Sequence, residues 1–111
     1  MNLELDHVKN EANYELLKVS GEIDAYTAPK LKETLFPLVE KTGVKVEVDL
    51  SEVSYIDSTG LGVFVGALKA TNQVNSQLKL IGLSDRVYRL FSITGLDEVI
   101  DIVPENKEGA R

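Results

Sequence analysis

Cysteine is absent and histidine occurs once, at His7. Without thiols there is no disulfide framework and no thiolate for metal or redox chemistry. One imidazole cannot build a histidine-based metal cluster within a chain. No apolar stretch approaches the ~18 residues of a membrane span, and no basic-then-apolar segment opens the chain. Both absences point to a cytoplasmic protein. Repeats and low-complexity tracts are missing too. Basic charge is scarce: 12 Lys and Arg face 18 Asp and Glu, a formal net charge of −6. That balance disfavours nucleic acid and anionic membranes as partners, because both reward a basic patch.

What remains is an ordinary globular composition, 43% hydrophobic and 27% charged over 111 residues. Residues 1–111 read as one domain, long enough to bury a core without staples. Only "PENKEGAR", from Pro104 to Arg111, is expected to fray.

Leu3 and Leu5 suggest a first strand, and Leu17, Val19, Gly21 and Ile23 alternate in a second. Val44, Val46, Val48 and Leu50, with Lys45, Glu47 and Asp49 between them, are the clearest case. Leu78, Leu80 and Ile81 form a short fourth strand, and Val99 to Val103 an edge strand. Thr27 is placed to cap a helix containing Pro29, with Leu31, Leu35, Leu38 and Val39 on its buried side. Pro37 should kink that helix or end it early. A second helix follows Ser58 and buries Leu61, Phe64, Val65 and Leu68. A third is capped by Ser84, buries Val87, Leu90 and Phe91, and stops at Gly95. After an initial hairpin, alternating strands and helices predict a small single-domain α/β fold: a mixed, mainly parallel sheet with packed helices.

Function in such sheets gathers where strands run into helices. "YIDSTGLG", Tyr55 to Gly62, is that kind of loop. A serine nucleophile needs a base, usually histidine, but His7 lies on the first strand and no G-x-S-x-G surrounds Ser58. Hydrolase chemistry is therefore rejected. Gly60-Leu61-Gly62 begins like a dinucleotide fingerprint, yet the next glycine, Gly66, comes one residue late, and there is no P-loop. Asp24 and Asp57 both follow strands and could share a proton or bind Mg²⁺. Helix capping is the commoner role of such acids, and neither a metal nor a cofactor is expected.

Ser58 reads best as a substrate. It stands at a helix N-terminus, where a phosphate meets free backbone N–H groups and the positive end of the dipole. The helix tolerates the modification, while the surface gains about −1.5 to −2 charges. Gly62 and Gly66 follow at i+4 and i+8, forming a bare stripe on the same helix face. Each costs about 1 kcal/mol relative to alanine. Because Leu61, Phe64, Val65 and Leu68 claim the buried face, the stripe is expected outside, as a partner surface.

"GEIDAYTAPKL" at 21–31, "VSYIDSTGLGVFVGALK" at 53–69 and "LKLIGLSDRVYRLFSITGLDEVIDI" at 78–102 together resemble the STAS-domain anti-sigma-factor antagonists. The likeness is greatest to antagonists of the general stress-response system of Gram-positive bacteria. The resemblance implies a partner switch without enzyme activity. The unmodified antagonist binds an anti-sigma factor that is also a serine kinase and so releases the sigma factor. ATP-dependent phosphorylation of Ser58 ends that binding, and a PP2C-type phosphatase restores it. Thr59 stands where some relatives carry serine, a minor second acceptor. Asp24 matches the acidic position of the family's G-E-[IL]-D loop. The implied partner surface comprises Asp24, Asp57, Ser58, Thr59, Gly60, Gly62, Val63 and Gly66.

Two alternatives remain. One is a STAS module within a larger signalling assembly. The other is a nucleotide-binding protein using the Asp24, Asp57 and Gly60 loops.

Overall fold

The computed structural model describes residues 2–105. Strands β1 (Leu3–Glu11) and β2 (Tyr14–Ile23) form the expected antiparallel hairpin, with Leu5 opposite Val19. The chain then alternates: α1 (Ala28–Val39), β3 (Lys45–Ile56), α2 (Ser58–Val74), β4 (Gln77–Leu83), α3 (Asp85–Ile93), one 3-10 turn (Leu96–Glu98) and β5 (Asp101–Pro104). The sheet order is β1-β2-β3-β4-β5, and every pairing from β2 onward is parallel. Each crossover advances one strand in the same direction, so right-handed connections put all three helices on one face. The rings of Phe64 in α2 and Phe91 in α3, 5.9 Å apart, knit that layer.

Alternation decides what is sealed. Val46, Val48 and Leu50 of β3, Leu17 and Val19 of β2 and Leu80 of β4 are fully buried beneath the helices. Between them, Lys45, Glu47 and Asp49 face the uncovered side, where the Tyr14 hydroxyl donates to Glu47 at 2.7 Å. At the end of β2, Gly21 has φ +108°, and a Cβ there would lie 2.3 Å from the Asn2 carbonyl oxygen. Only glycine lets Asn2 come close enough to accept from the Glu22 N–H at 2.8 Å.

The helix ends follow the sequence signals. Helix α1 stops at Val39, just beyond Pro37. Ser84 caps α3 by accepting from the Val87 N–H at 3.3 Å, and Gly95, at φ +80°, follows its end.

Three expectations need correction. Helix α2 buries Gly60, Leu61, Val63, Phe64, Ala67 and Thr71, whereas Val65 and Leu68 are only half-buried. The helix is turned one residue from the expected face, so its innermost stripe is Gly60, Val63, Phe64 and Ala67, and it rides close enough to the strand ends that a Cβ at Gly60 would meet Ile23 and Ile56. Likewise Leu90 of α3 is half-buried, beside Val87 and Phe91 in the core. The expected tail also starts too early at Pro104, which ends β5 opposite Leu83, while the Glu105 N–H donates to the Leu83 carbonyl at 2.7 Å. Proline is tolerated on this edge strand. The remainder of that tail lies outside the described residues.

Candidate functional site

Parallel pairing brings Ile23 at the end of β2 level with Ile56 at the end of β3. The two loops that follow therefore open side by side. Each begins with an acid that organises a helix start.

Asp24 is buried, and its Oδ1 accepts from the N–H groups of Tyr26 (2.9 Å) and Thr27 (3.0 Å). Thr27 does not cap α1 with its side chain, as its sequence position suggested; its hydroxyl donates to the Glu22 carbonyl at 2.8 Å. The turn belongs to Asp24 instead, whose carbonyl also accepts from Ala28 N–H at 2.7 Å. Asp24 Oδ2 is buried without a hydrogen bond from any described residue. This tight turn pushes Tyr26 outward until the residue is 87% exposed.

Asp57 is the N-cap of α2 and accepts from the Gly60 N–H at 3.1 Å. Both acids thus serve helix starts. Among the described residues no group of three potential ligands could hold a metal ion.

Ser58 is the first residue of α2 and is exposed. Its hydroxyl hydrogen-bonds to no described residue. The first intrahelical bond runs from Leu61 N–H to the Asp57 carbonyl at 2.9 Å, so the N–H groups of Ser58 and Thr59 precede it. A phosphate on Ser58 Oγ would meet these donors and the positive end of a 17-residue helix.

Between α1 and α2 lies a groove of about 510 Å³, walled by Ala25, Lys32 and Phe36 on one side and Thr59, Gly62, Val63 and Gly66 on the other. The glycine stripe divides here. Gly62 is exposed, with open space where its Cβ would be, as expected of a partner surface. Gly66 instead faces inward across the groove, and a Cβ there would lie 3.0 Å from Phe36 Cζ. The assignment of Gly60 to the surface is wrong. It is buried, and a Cβ would meet Ile23 Cγ2 at 2.6 Å and Ile56 Cγ1 at 2.7 Å. Asp24 and Val63 are also buried, so they shape the surface from beneath.

The sequence reading passed over Tyr26 and Phe36. Tyr26 was legible as an aromatic inside "DAYTAP", but its exposure depends on the Asp24 turn. Phe36 falls off the apolar stripe of α1, a signal for a groove residue. His7, set apart from Ser58 by β2, hydrogen-bonds with the buried Glu15, which also accepts from Lys41 Nζ at 2.8 Å.

Comparison with known proteins fits this geometry. The STAS domain model matches residues 7–109. The chain belongs to the STAS-domain family. It is 52% identical over 109 residues to an anti-sigma-B factor antagonist of Listeria monocytogenes, covering 98% of this chain and 94% of that one. The anti-sigma-B factor antagonist of Bacillus subtilis is 46% identical over 111 residues, the full length of both chains. The STAS fold itself recurs in the solved anti-sigma factor antagonist SpoIIAA of Bacillus. Its unphosphorylated form has TM-score 0.74 at 19% identity, covering 98% of this chain and 92% of that one. Its phosphorylated form has TM-score 0.68 at 18% identity, covering 98% and 96%.

Proposed function

We propose that this chain is an anti-sigma factor antagonist, a non-catalytic cytoplasmic binding protein switched by phosphorylation of Ser58. Unmodified, it binds an anti-sigma factor that is also a serine kinase, and the sigma factor is released. The contact surface is Ser58, Thr59, Gly62 and Tyr26, together with the groove between α1 and α2; Asp24, Asp57, Gly60, Val63 and Gly66 hold its shape. The kinase transfers the γ-phosphoryl group of ATP to Ser58 Oγ, and its own base takes the hydroxyl proton. A PP2C-type phosphatase hydrolyses the phosphoserine and restores binding.

The observation that carries this reading is the unengaged Ser58 hydroxyl, exposed on the first residue of α2 beside an open groove. Relatives at 46–52% identity bear the antagonist name. Nothing at Ser58 resembles a nucleophile's site, since the only histidine is engaged with Glu15 elsewhere. Thr59 is also exposed and stays a minor second acceptor.

Incubation with the cognate anti-sigma factor and ATP, followed by peptide mass spectrometry, tests the modification. One phosphate on Ser58, absent from Ser58→Ala, is expected. No phosphate on Ser58, whether or not another residue is modified, would overturn the reading.

A further inference from the structure

Helix α2 contains three glycines, and packing accounts for two of them. A Cβ at Gly60 would meet Ile23 and Ile56, and one at Gly66 would press on Phe36. Gly62 has no such reason. It is exposed, open space lies where its Cβ would be, and it is not one of the glycines with positive φ. An unconstrained glycine inside a helix lowers stability relative to alanine. The reason for this one lies outside the chain.

Gly62 comes four residues after Ser58, so the two lie one above the other on the same helix face. Helical side chains lean back toward the N-terminus, and each covers the turn preceding its own Cα. A side chain at position 62 would therefore lie over Ser58. The neighbouring hydroxyl is placed differently. Four residues after Thr59 stands Val63, a β-branched residue, and both line the groove between α1 and α2, whereas Ser58 does not.

We infer that Gly62 is a specificity-determining residue for the switch: its missing side chain keeps the Ser58 hydroxyl, and the phosphate placed on it, open to the enzymes that act there. The inference rests on the function proposed above and deepens it. Contact with the partner asks only for affinity, but transfer within the bound complex asks for access. The γ-phosphorus of ATP must come within about 3–3.5 Å of Ser58 Oγ, in line with the breaking bond. A long side chain at position 62 would crowd that approach. A cation there would do more, because an acidic group followed four residues later by a cation is the favoured order for an ion pair along a helix. It would hold and neutralise the phosphate whose charge drives the partner away. Glycine avoids both.

The test compares wild type with Gly62→Ala, Gly62→Leu and Gly62→Lys, and with Asn72→Leu, which adds the same apolar side chain to an exposed position far along α2. One arm measures the single-turnover rate of Ser58 phosphorylation at saturating cognate kinase, with the ratio of phosphate on Thr59 to that on Ser58. Both acceptors sit in the same complex, so a change in affinity cancels in the ratio. The other arm starts from protein carrying phosphoserine installed at position 58 during translation. It follows hydrolysis by a broad-specificity alkaline phosphatase, which recognises little beyond the phosphate. Gly62→Ala and Asn72→Leu are expected within about twofold of wild type in both arms. Gly62→Leu should slow both about 5- to 50-fold and raise the ratio. Gly62→Lys should resist hydrolysis at low salt and recover toward wild type as salt screens the pair. A Gly62→Leu rate within about twofold of wild type in either arm, or an unchanged ratio, overturns the inference and leaves Gly62 a contact residue only. An equal loss in Gly62→Ala overturns it too, because flexibility rather than access is then at stake. If the kinase puts no phosphate on Ser58 of the wild type, the proposed function fails, and the hydrolysis arm alone upholds or overturns the screening by position 62.

Discussion

The main-chain N–H of Asp57 donates to the carbonyl oxygen of Ile23 at 3.1 Å, and this bond locks the loop after β3 to the loop after β2. Because of it, the turn built by Asp24 and the helix start built by Asp57 form one surface. Ser58 is presented by the second loop, and Tyr26 by the first.

The packing beneath that surface predicts opposite behaviour for two neighbouring glycines. Gly60→Ala forces a methyl against Ile23 and Ile56 and should destabilise the fold by about 1–3 kcal/mol. Gly62→Ala meets open space and should stabilise α2 by up to about 1 kcal/mol. Gly62→Leu should keep the fold but weaken kinase binding at least tenfold by obstructing the groove. Urea melts and binding titrations on the same samples decide this. Equal stability of Gly60→Ala and wild type would refute the close approach of α2 to the strands.

Asp24 should act mainly through the turn it holds. Asp24→Ala removes the acceptor for the Tyr26 and Thr27 N–H groups and should cost about 1–2 kcal/mol. It should also slow phosphorylation of Ser58, since the loop bearing Tyr26 loses its fixed position. Tyr26→Ala isolates the surface effect: stability stays within about 0.5 kcal/mol of wild type, and kinase affinity falls. If Tyr26→Ala binds normally, the loop is not part of the partner surface.

Much of this was legible in the sequence. The alternation of Val44 to Leu50, the Ser84 cap, the Gly95 stop and the placement of Ser58 at a helix start all rest on local chemistry. Gly60 was misplaced because its role depends on Ile23 and Ile56, brought to it by tertiary packing. Val65 and Leu68 looked like the buried face because they share helical spacing with Leu61 and Phe64, yet the tight seat of Gly60 on Ile23 and Ile56 turns the helix one residue, towards Val63 and Ala67. Glu15 was invisible for a related reason. A charged residue ahead of Leu17 and Val19 looks like a strand boundary, and Lys41, from beyond α1, together with His7 makes its burial tolerable.

That buried carboxylate gives a pH prediction. Burial alone pushes Glu15 up, but hydrogen bonds from Lys41 and His7, reinforced by their charges, more than offset it and hold the carboxyl below its usual 4.5. A depressed folded-state value means stability that is fully present above about pH 4.5 and lost as pH falls through the lower folded-state value. Lys41→Met should be less stable at pH 7 by about 1–3 kcal/mol, with a shallower acid limb. Glu15→Gln should flatten the Glu15 contribution to that limb. Urea stability measured from pH 7 to pH 3 checks both, and an unchanged acid limb in Glu15→Gln would remove Glu15 from the account.

The central claim is that one phosphate on Ser58 decides whether the partner stays. It places the added charge at a single point beside Asp57, where a closed interface excludes water. A loss of about 3–4 kcal/mol there corresponds to roughly several hundred- to a thousandfold in affinity. The direct measurement is the dissociation constant of the anti-sigma factor kinase for unmodified protein, for the same protein phosphorylated on Ser58, and for Ser58→Ala, with the fold of each checked by circular dichroism. Tight binding of the unmodified and Ser58→Ala proteins, with a several-hundredfold loss on phosphorylation, is the expected result. Equal affinity of the phosphorylated and unmodified proteins would contradict the switch.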